Sequence, residues 1–113
     1  METQSACHIL RKLPRENAFY FFTSIGNYVG ESASSLEEFV EKIKHLPSIS
    51  LEFHQQRGDF EKWFAQTLGD TELAEEINKL RDLTGETLRE KLDLTISKRY
   101  KELKYLAQKG TRE

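Results

Sequence analysis

A chain of 113 residues, 37% hydrophobic and 32% charged, is long enough to close one hydrophobic core and too short for two, so the expectation is a single domain over residues 1–113. This composition is that of a globular chain rich in exposed helix, not a disordered or membrane chain, and no apolar run approaches the roughly 18 residues that would cross a bilayer, so no membrane partner is expected. The net charge of −2 hides a split, since residues 31–82 carry six basic and twelve acidic side chains and residues 83–113 carry eight basic and five acidic. Opposite fields on one small molecule favour self-association or docking of the tail onto its own body, whereas a nucleic-acid binder shows a dominant basic surface, so nucleic acid is not the expected partner.

The opening stretch, METQSACHILRKLP, has only a short apolar piece, no basic run ahead of it and no small-residue cleavage site. It does not read as a secretion signal, and the expected compartment is the cytoplasm. Cys7 is the only cysteine, which excludes an intrachain disulfide. Residues 1–14 read as a flexible segment ahead of the fold.

The first element is aromatic. AFYFFTSIGNYVGES carries β-favouring residues on both sides of Gly26-Asn27, a pair suited to a tight turn, and predicts a hairpin of Ala18–Ser24 with Asn27–Glu31. Phe19 and Phe21 then share one face and Tyr20 and Phe22 the other, so both faces need cover. From Ser35 the apolar spacing becomes helical: Leu36, Phe39, Val40, Ile43 and Leu46 form one stripe, Ser35 and Glu38 a capping box, and Pro47 a stop. SISLEFHQQ fits two patterns, since Ile49, Leu51 and Phe53 alternate as in a strand while Ile49 and Phe53 also stand one helical turn apart; Ser48 as cap and the helical neighbours favour a second helix, ending at Gly58.

Asp59 can cap a third helix with Phe60, Trp63, Phe64 and Leu68 inward, closed by Gly69. Asp70 can cap a fourth with Leu73, Ala74, Ile77 and Leu80 inward. From Thr84 a final helix of roughly 22 residues, about 33 Å at 1.5 Å per residue, follows Leu88, Leu92, Ile96, Tyr100, Leu103 and Leu106 or Ala107. Its end, frayed over 107–113, should project from the body or find a partner. The fold class is predominantly helical α+β: an N-terminal hairpin packed by about four helices, the last one long.

Chemistry-bearing residues are sparse. FHQQRGDFEKWF, residues 53–64, holds the one constellation, in which the turn at Gly58 could bring the Asp59 carboxylate back to the His54 imidazole, with Arg57 and Trp63 beside them. A structural reading competes with it: a histidine bonded across an interhelical turn or packed on Trp63. Arg57-Gly58-Asp59 spells an adhesion tripeptide, but it reads here as a helix stop followed by a helix start. His8, His45, His54 and Cys7 are scattered without metal-ligand spacing, so neither metal nor cofactor is expected. No nucleophile motif or phosphate loop occurs. On the last helix Lys98, Arg99, Lys101 and Lys104 make a basic tail that could track anions, although cations at a helix C-terminus are favourable without any partner.

The order FYFF, Gly30, ASSLEEF, SLEFH, GDFEKW, LGDTELA and LREKL, over about residues 18–103, resembles a small domain of bacterial and archaeal proteins catalogued as a domain of unknown function. The resemblance implies that Phe53–Ala74 is one structural unit, and it implies no activity, substrate or cofactor. The expected function is a non-enzymatic protein-interaction or regulatory module, working as a homodimer or on a larger partner. The alternative is a small-ligand or metal-binding domain, or a minor enzyme, using the joint of His54, Arg57 and Asp59, with Glu61 or Asp70 as further candidates. An accessible His54 in a concave pocket would favour that alternative, and a buried, fully bonded His54 would count against it.

Overall fold

The computed structural model describes residues 3–111, and the side chains of residues 5–109. It is a predominantly helical α+β arrangement in chain order α1 (Thr3–Leu10), a 3-10 turn (Arg15–Asn17), β1 (Phe19–Phe22), β2 (Tyr28–Ala33), α2 (Leu36–Ile43), α3 (Ser48–Arg57), α4 (Asp59–Lys62), α5 (Thr71–Asn78) and α6 (Gly85–Thr111). Six α-helices among the described residues thus stand where the sequence pattern predicts about four.

The hairpin forms in the predicted place with shifted limits. The strands are antiparallel, Phe19 opposite Ala33 and Phe22 opposite Tyr28, with an irregularity between Tyr20 and Phe22. The second strand runs two residues past the predicted Glu31, to Ala33. The tight turn is closed by the Asn27 N–H donating to the Ser24 carbonyl at 3.0 Å. Its central residues are therefore Ile25 and Gly26, one position earlier than expected, and Gly26 supplies the positive φ of 82°. Phe19 and Phe21 face inward and are buried. Tyr20, Phe22 and Tyr28 form an outward aromatic cluster, with Tyr20 and Tyr28 39% and 50% exposed.

Ser35 caps α2, its Oγ accepting from the Glu38 N–H at 3.2 Å, while the Glu38 carboxylate accepts from the Ser34 N–H at 2.9 Å. The reciprocal half of the capping box is displaced by one residue. In α3 the predicted cap and face both differ from what forms. Pro47 is the capping residue, and the buried face is Ser50, Leu51, His54 and Gln55, leaving Ile49 57% exposed and Phe53 half-buried. Gly58 ends α3 at φ 77°, as its sequence position implies. After four residues, α4 widens into a π-helix over Trp63–Leu68, whose Trp63, Phe64 and Leu68 are all buried. Gly69 closes it at φ 87°, donating to the Phe64 carbonyl.

The longest element organises the rest. α6 has 27 residues, about 40 Å of helix, against a long axis of 46 Å for the molecule, and α1, α2, α3 and α5 all pack on it. Of residues 1–14, those from Thr3 to Leu10 form α1, in which Ala6 and Ile9 are buried, as is Leu13 after it, and α1 packs on α6; residues 1–2 lie outside the described residues. The stripe of α6 stays covered as far as Leu103, with Leu106 and Ala107 half-buried, and the helix runs on through Thr111. Residues 112–113 lie outside the described residues.

The core is aromatic. Phe21, Phe39, Phe60 and Phe64 are fully buried, worth about 1.5–3 kcal/mol each in transfer from water. Phe39 stacks on Trp63 with ring centres 5.4 Å apart.

A β-carbon at position 58 would meet Glu61 Oε1 at 3.2 Å, on a backbone held in the left-handed region. Gly58→Ala should therefore lose about 1 kcal/mol or more. Thermal unfolding should show this as a midpoint lowered by about 4 °C or more, and an unchanged midpoint would mean the α3–α4 joint relaxes freely.

Candidate functional site

Two features of the local sequence place His54. It lies one helical turn after Ser50, so both side chains leave the same face of α3, and the left-handed Gly58 reverses the chain so that Asp59 returns toward that face. Ser50 Oγ donates to the Phe22 carbonyl at 2.7 Å, and His54 Nε2 accepts from the Phe22 N–H at 2.8 Å. Because Nε2 is an acceptor, the proton sits on Nδ1, which donates to Asp59 Oδ2 at 2.8 Å. The ring is 3% exposed and touches Phe19, Phe53 and Phe60. Burial lowers the His54 pKa below the ordinary 6.5; the hydrogen bond and charge of Asp59 work against this, and Arg57 adds to the lowering.

Asp59 does not cap α4. The capping residue is Gly58, and the carboxylate turns back to His54 and to Arg57 Nε at 3.1 Å. Arg57 is half exposed and its guanidinium lies 5.0 Å from the centre of the Phe53 ring. Trp63 is buried and donates its indole N–H to the Asn17 carbonyl at 2.9 Å. The four residues singled out in the sequence, His54, Arg57, Asp59 and Trp63, therefore come together, on one wall of a groove of about 480 Å³ between the hairpin and the α3–α4 joint. The opposite wall carries Tyr20, Phe22 and Ile25. Both nitrogens of His54 are occupied, which leaves the ring no lone pair for a metal and no free site for proton transfer. Arg57-Gly58-Asp59 is the joint itself, not an exposed loop.

The basic tail divides differently. Lys98, Lys101 and Lys104 are exposed, and Lys104 lies 5.3 Å from the centre of the Tyr100 ring. Arg99 points inward, 7% exposed, and pairs two-pronged with Asp70, Nε to Oδ2 at 2.8 Å and Nη2 to Oδ1 at 3.0 Å. Glu72 and Glu102 also accept from its Nη1. Arg99 thus bonds carboxylates of its own chain. Asp70 keeps the predicted cap, accepting from the Leu73 N–H at 3.1 Å, and holds Arg99 as well. A signal was present in the sequence: Leu92, Ile96, residue 99 and Leu103 fall on one helical stripe, so an arginine there must either be paired or break the stripe. Among the described residues no three His, Cys, Asp or Glu side chains gather as a metal site requires, and no helix is long and apolar enough to cross a membrane.

A family model described as a family of unknown function, DUF5752, matches residues 14–113. The chain belongs to that family. No curated protein and no solved structure matches it. The DUF5752 match begins after α1 and includes both polar anchors, Ser50 and His54 on Phe22 and Asp70 on Arg99, as well as the whole groove.

His54 makes stability pH-dependent with a definite sign. With the folded pKa below 6.5, the unfolded chain takes the proton first, so the stabilisation is complete above pH 6.5 and is lost as pH falls from 6.5 towards the folded value, by at most about 1.4 kcal/mol per pH unit. Urea unfolding at pH 7.5 and 5.5 should show His54→Ala less stable by about 1–3 kcal/mol at the higher pH and a smaller gap at the lower. A gap that widens on acidification would show a histidine stabilised in its charged form.

Arg99→Met leaves the Asp70 carboxylate buried without its cation and should lower stability by about 3–5 kcal/mol. Adding Asp70→Ser, which retains a capping oxygen for Leu73, should restore most of it. A double variant as unstable as the sum of the singles, measured by the same unfolding, would show that the two side chains are not coupled.

Proposed function

We propose that this protein is a non-enzymatic interaction module that receives a segment of a partner protein in the groove between the hairpin and the α3–α4 joint. One observation carries the reading: His54 and Asp59, the groups able to do acid–base chemistry at this joint, are bonded inward, while large apolar side chains of the hairpin stand exposed over the groove. His54 and Asp59 are held by each other and by Phe22 and Arg57. Tyr20 and Ile25 stand 39% and 83% exposed on the facing wall. Aromatic and arginine side chains around a concavity are what protein interfaces concentrate, and exposed apolar surface on a small domain is where partners dock.

The rival ligand-binding or enzymatic reading relied on an accessible His54 and loses its central residue. The expectation of a dimer relied in part on α6 seeking a partner, and α1 of the same chain packs on it. Binding to nucleic acid through the tail is weakened by the pairing of Arg99 with Asp70. The reading places the module in a reducing compartment, the cytoplasm, where the single exposed Cys7 can remain a thiol.

A photo-reactive residue at Ile25 in the native host should yield a discrete protein adduct, and the same residue at exposed Glu75 on α5 should not. No adduct at Ile25, or equal adducts at both positions, would overturn the proposal.

A further inference from the structure

The groove carries charge as well as apolar surface. Arg57 commits only Nε to Asp59, and neither Nη has a partner among the described residues. The guanidinium is held in place from two sides, by Asp59 and by the Phe53 ring, so its remaining donors are oriented before any ligand arrives. Lys62, exposed on the same groove, has no hydrogen bond or ion pair within the described chain. Asp59 is the one acid lining the groove, and its charge is matched by Arg57. His54, with Nε2 accepting, is neutral. The groove therefore keeps a net charge of about +1, inside a stretch, residues 31–82, that carries six basic and twelve acidic side chains.

Resting on the interaction reading above, we infer that the occupant is a partner peptide segment with a carboxylate next to a large apolar side chain. The carboxylate bonds to the free Nη groups of Arg57 and to Lys62, and the apolar side chain packs between Phe53 and the hairpin aromatics. A guanidinium already lying on an aromatic ring gives up little freedom in taking a two-pronged carboxylate. The excess of acidic side chains over residues 31–82 disfavours an acidic segment elsewhere on that stretch, which favours the groove over it.

The test titrates the isotope-labelled full chain, followed by amide NMR shifts, with three end-blocked peptides alternating Phe with Glu, with Gln or with Lys. The Glu peptide should move the amides of Phe22, Phe53, Arg57 and Lys62, and the Lys peptide should leave them in place. Arg57→Ala and Lys62→Ala, each first shown to be folded by its spectrum, should each weaken Glu-peptide binding by about fivefold. Binding should also weaken as ionic strength rises from about 0.01 M to about 1 M, where screening shortens from about 30 Å to about 3 Å. Equal binding of the Glu and Gln peptides, unaffected by either variant, would overturn this inference and leave the interaction reading standing. Benzoate binding the groove as tightly as the Glu peptide would also overturn it, in favour of a small anion. No movement at the groove with any peptide would overturn both.

Discussion

A two-stranded hairpin exposes backbone donors and acceptors along its outer edges, and by itself it is barely stable in water. Here the amide and the carbonyl of Phe22 are both taken by side chains one turn apart on α3, His54 and Ser50. The helix thus completes the backbone bonding of β1 at Phe22 without presenting a strand. The same helix reaches two other places with polar groups: Gln55 donates to the Ile77 carbonyl at the end of α5, and the Glu52 carboxylate accepts from the Gly85 N–H at the start of α6. α3 is consequently a helix whose inward face is chosen for hydrogen bonding. Its companions supply the apolar contacts.

The chain of bonds continues through His54 to Asp59 and from there to Arg57. Strand, helix and the turn at Gly58 are one connected polar unit, which sets the angle between α3 and α4 and therefore the width of the groove. A wall built this way is pre-organised, since its aromatic side chains rest on a backbone that its own hydrogen bonds hold in place. The bonds that occupy both nitrogens of His54 also fasten one wall of the groove.

Asp70 and Arg99 play the matching part between α5 and α6. Removing two charges from water is expensive, and their mutual attraction offsets that only with good geometry and further hydrogen bonds. Both conditions hold: the pair is two-pronged, Asp70 also caps α5, and Glu72 and Glu102 accept from the arginine Nη1. Such a pair adds little net stability over an apolar substitute, but it tolerates no sliding of α5 along α6. The register of the long helix, and with it the seats of α1, α2 and α3, follows from that single crossing.

Local signals in the sequence determined the elements that depend on neighbours in the chain. The aromatic run with Gly26 specifies a hairpin, Ser35 with Leu36, Phe39, Val40 and Ile43 a capped amphipathic helix, Gly58 and Gly69 two helix ends, and Asp70 a cap, because turn chemistry and apolar spacing act over only a few residues. The grouping of His54, Arg57, Asp59 and Trp63 was legible for the same reason. What only the tertiary structure decided are the roles that depend on partners far along the chain. The inward face of α3 is polar because it meets a strand backbone 28 to 32 residues away, so its burial could not follow apolar periodicity. Arg99 is interior because Asp70 waits 29 residues earlier, and α1 is ordered because α6, at the other end of the chain, offers it a surface. A hydrogen bond or ion pair is worth its full strength only once both groups leave water, and which groups leave water together is decided by the folded arrangement.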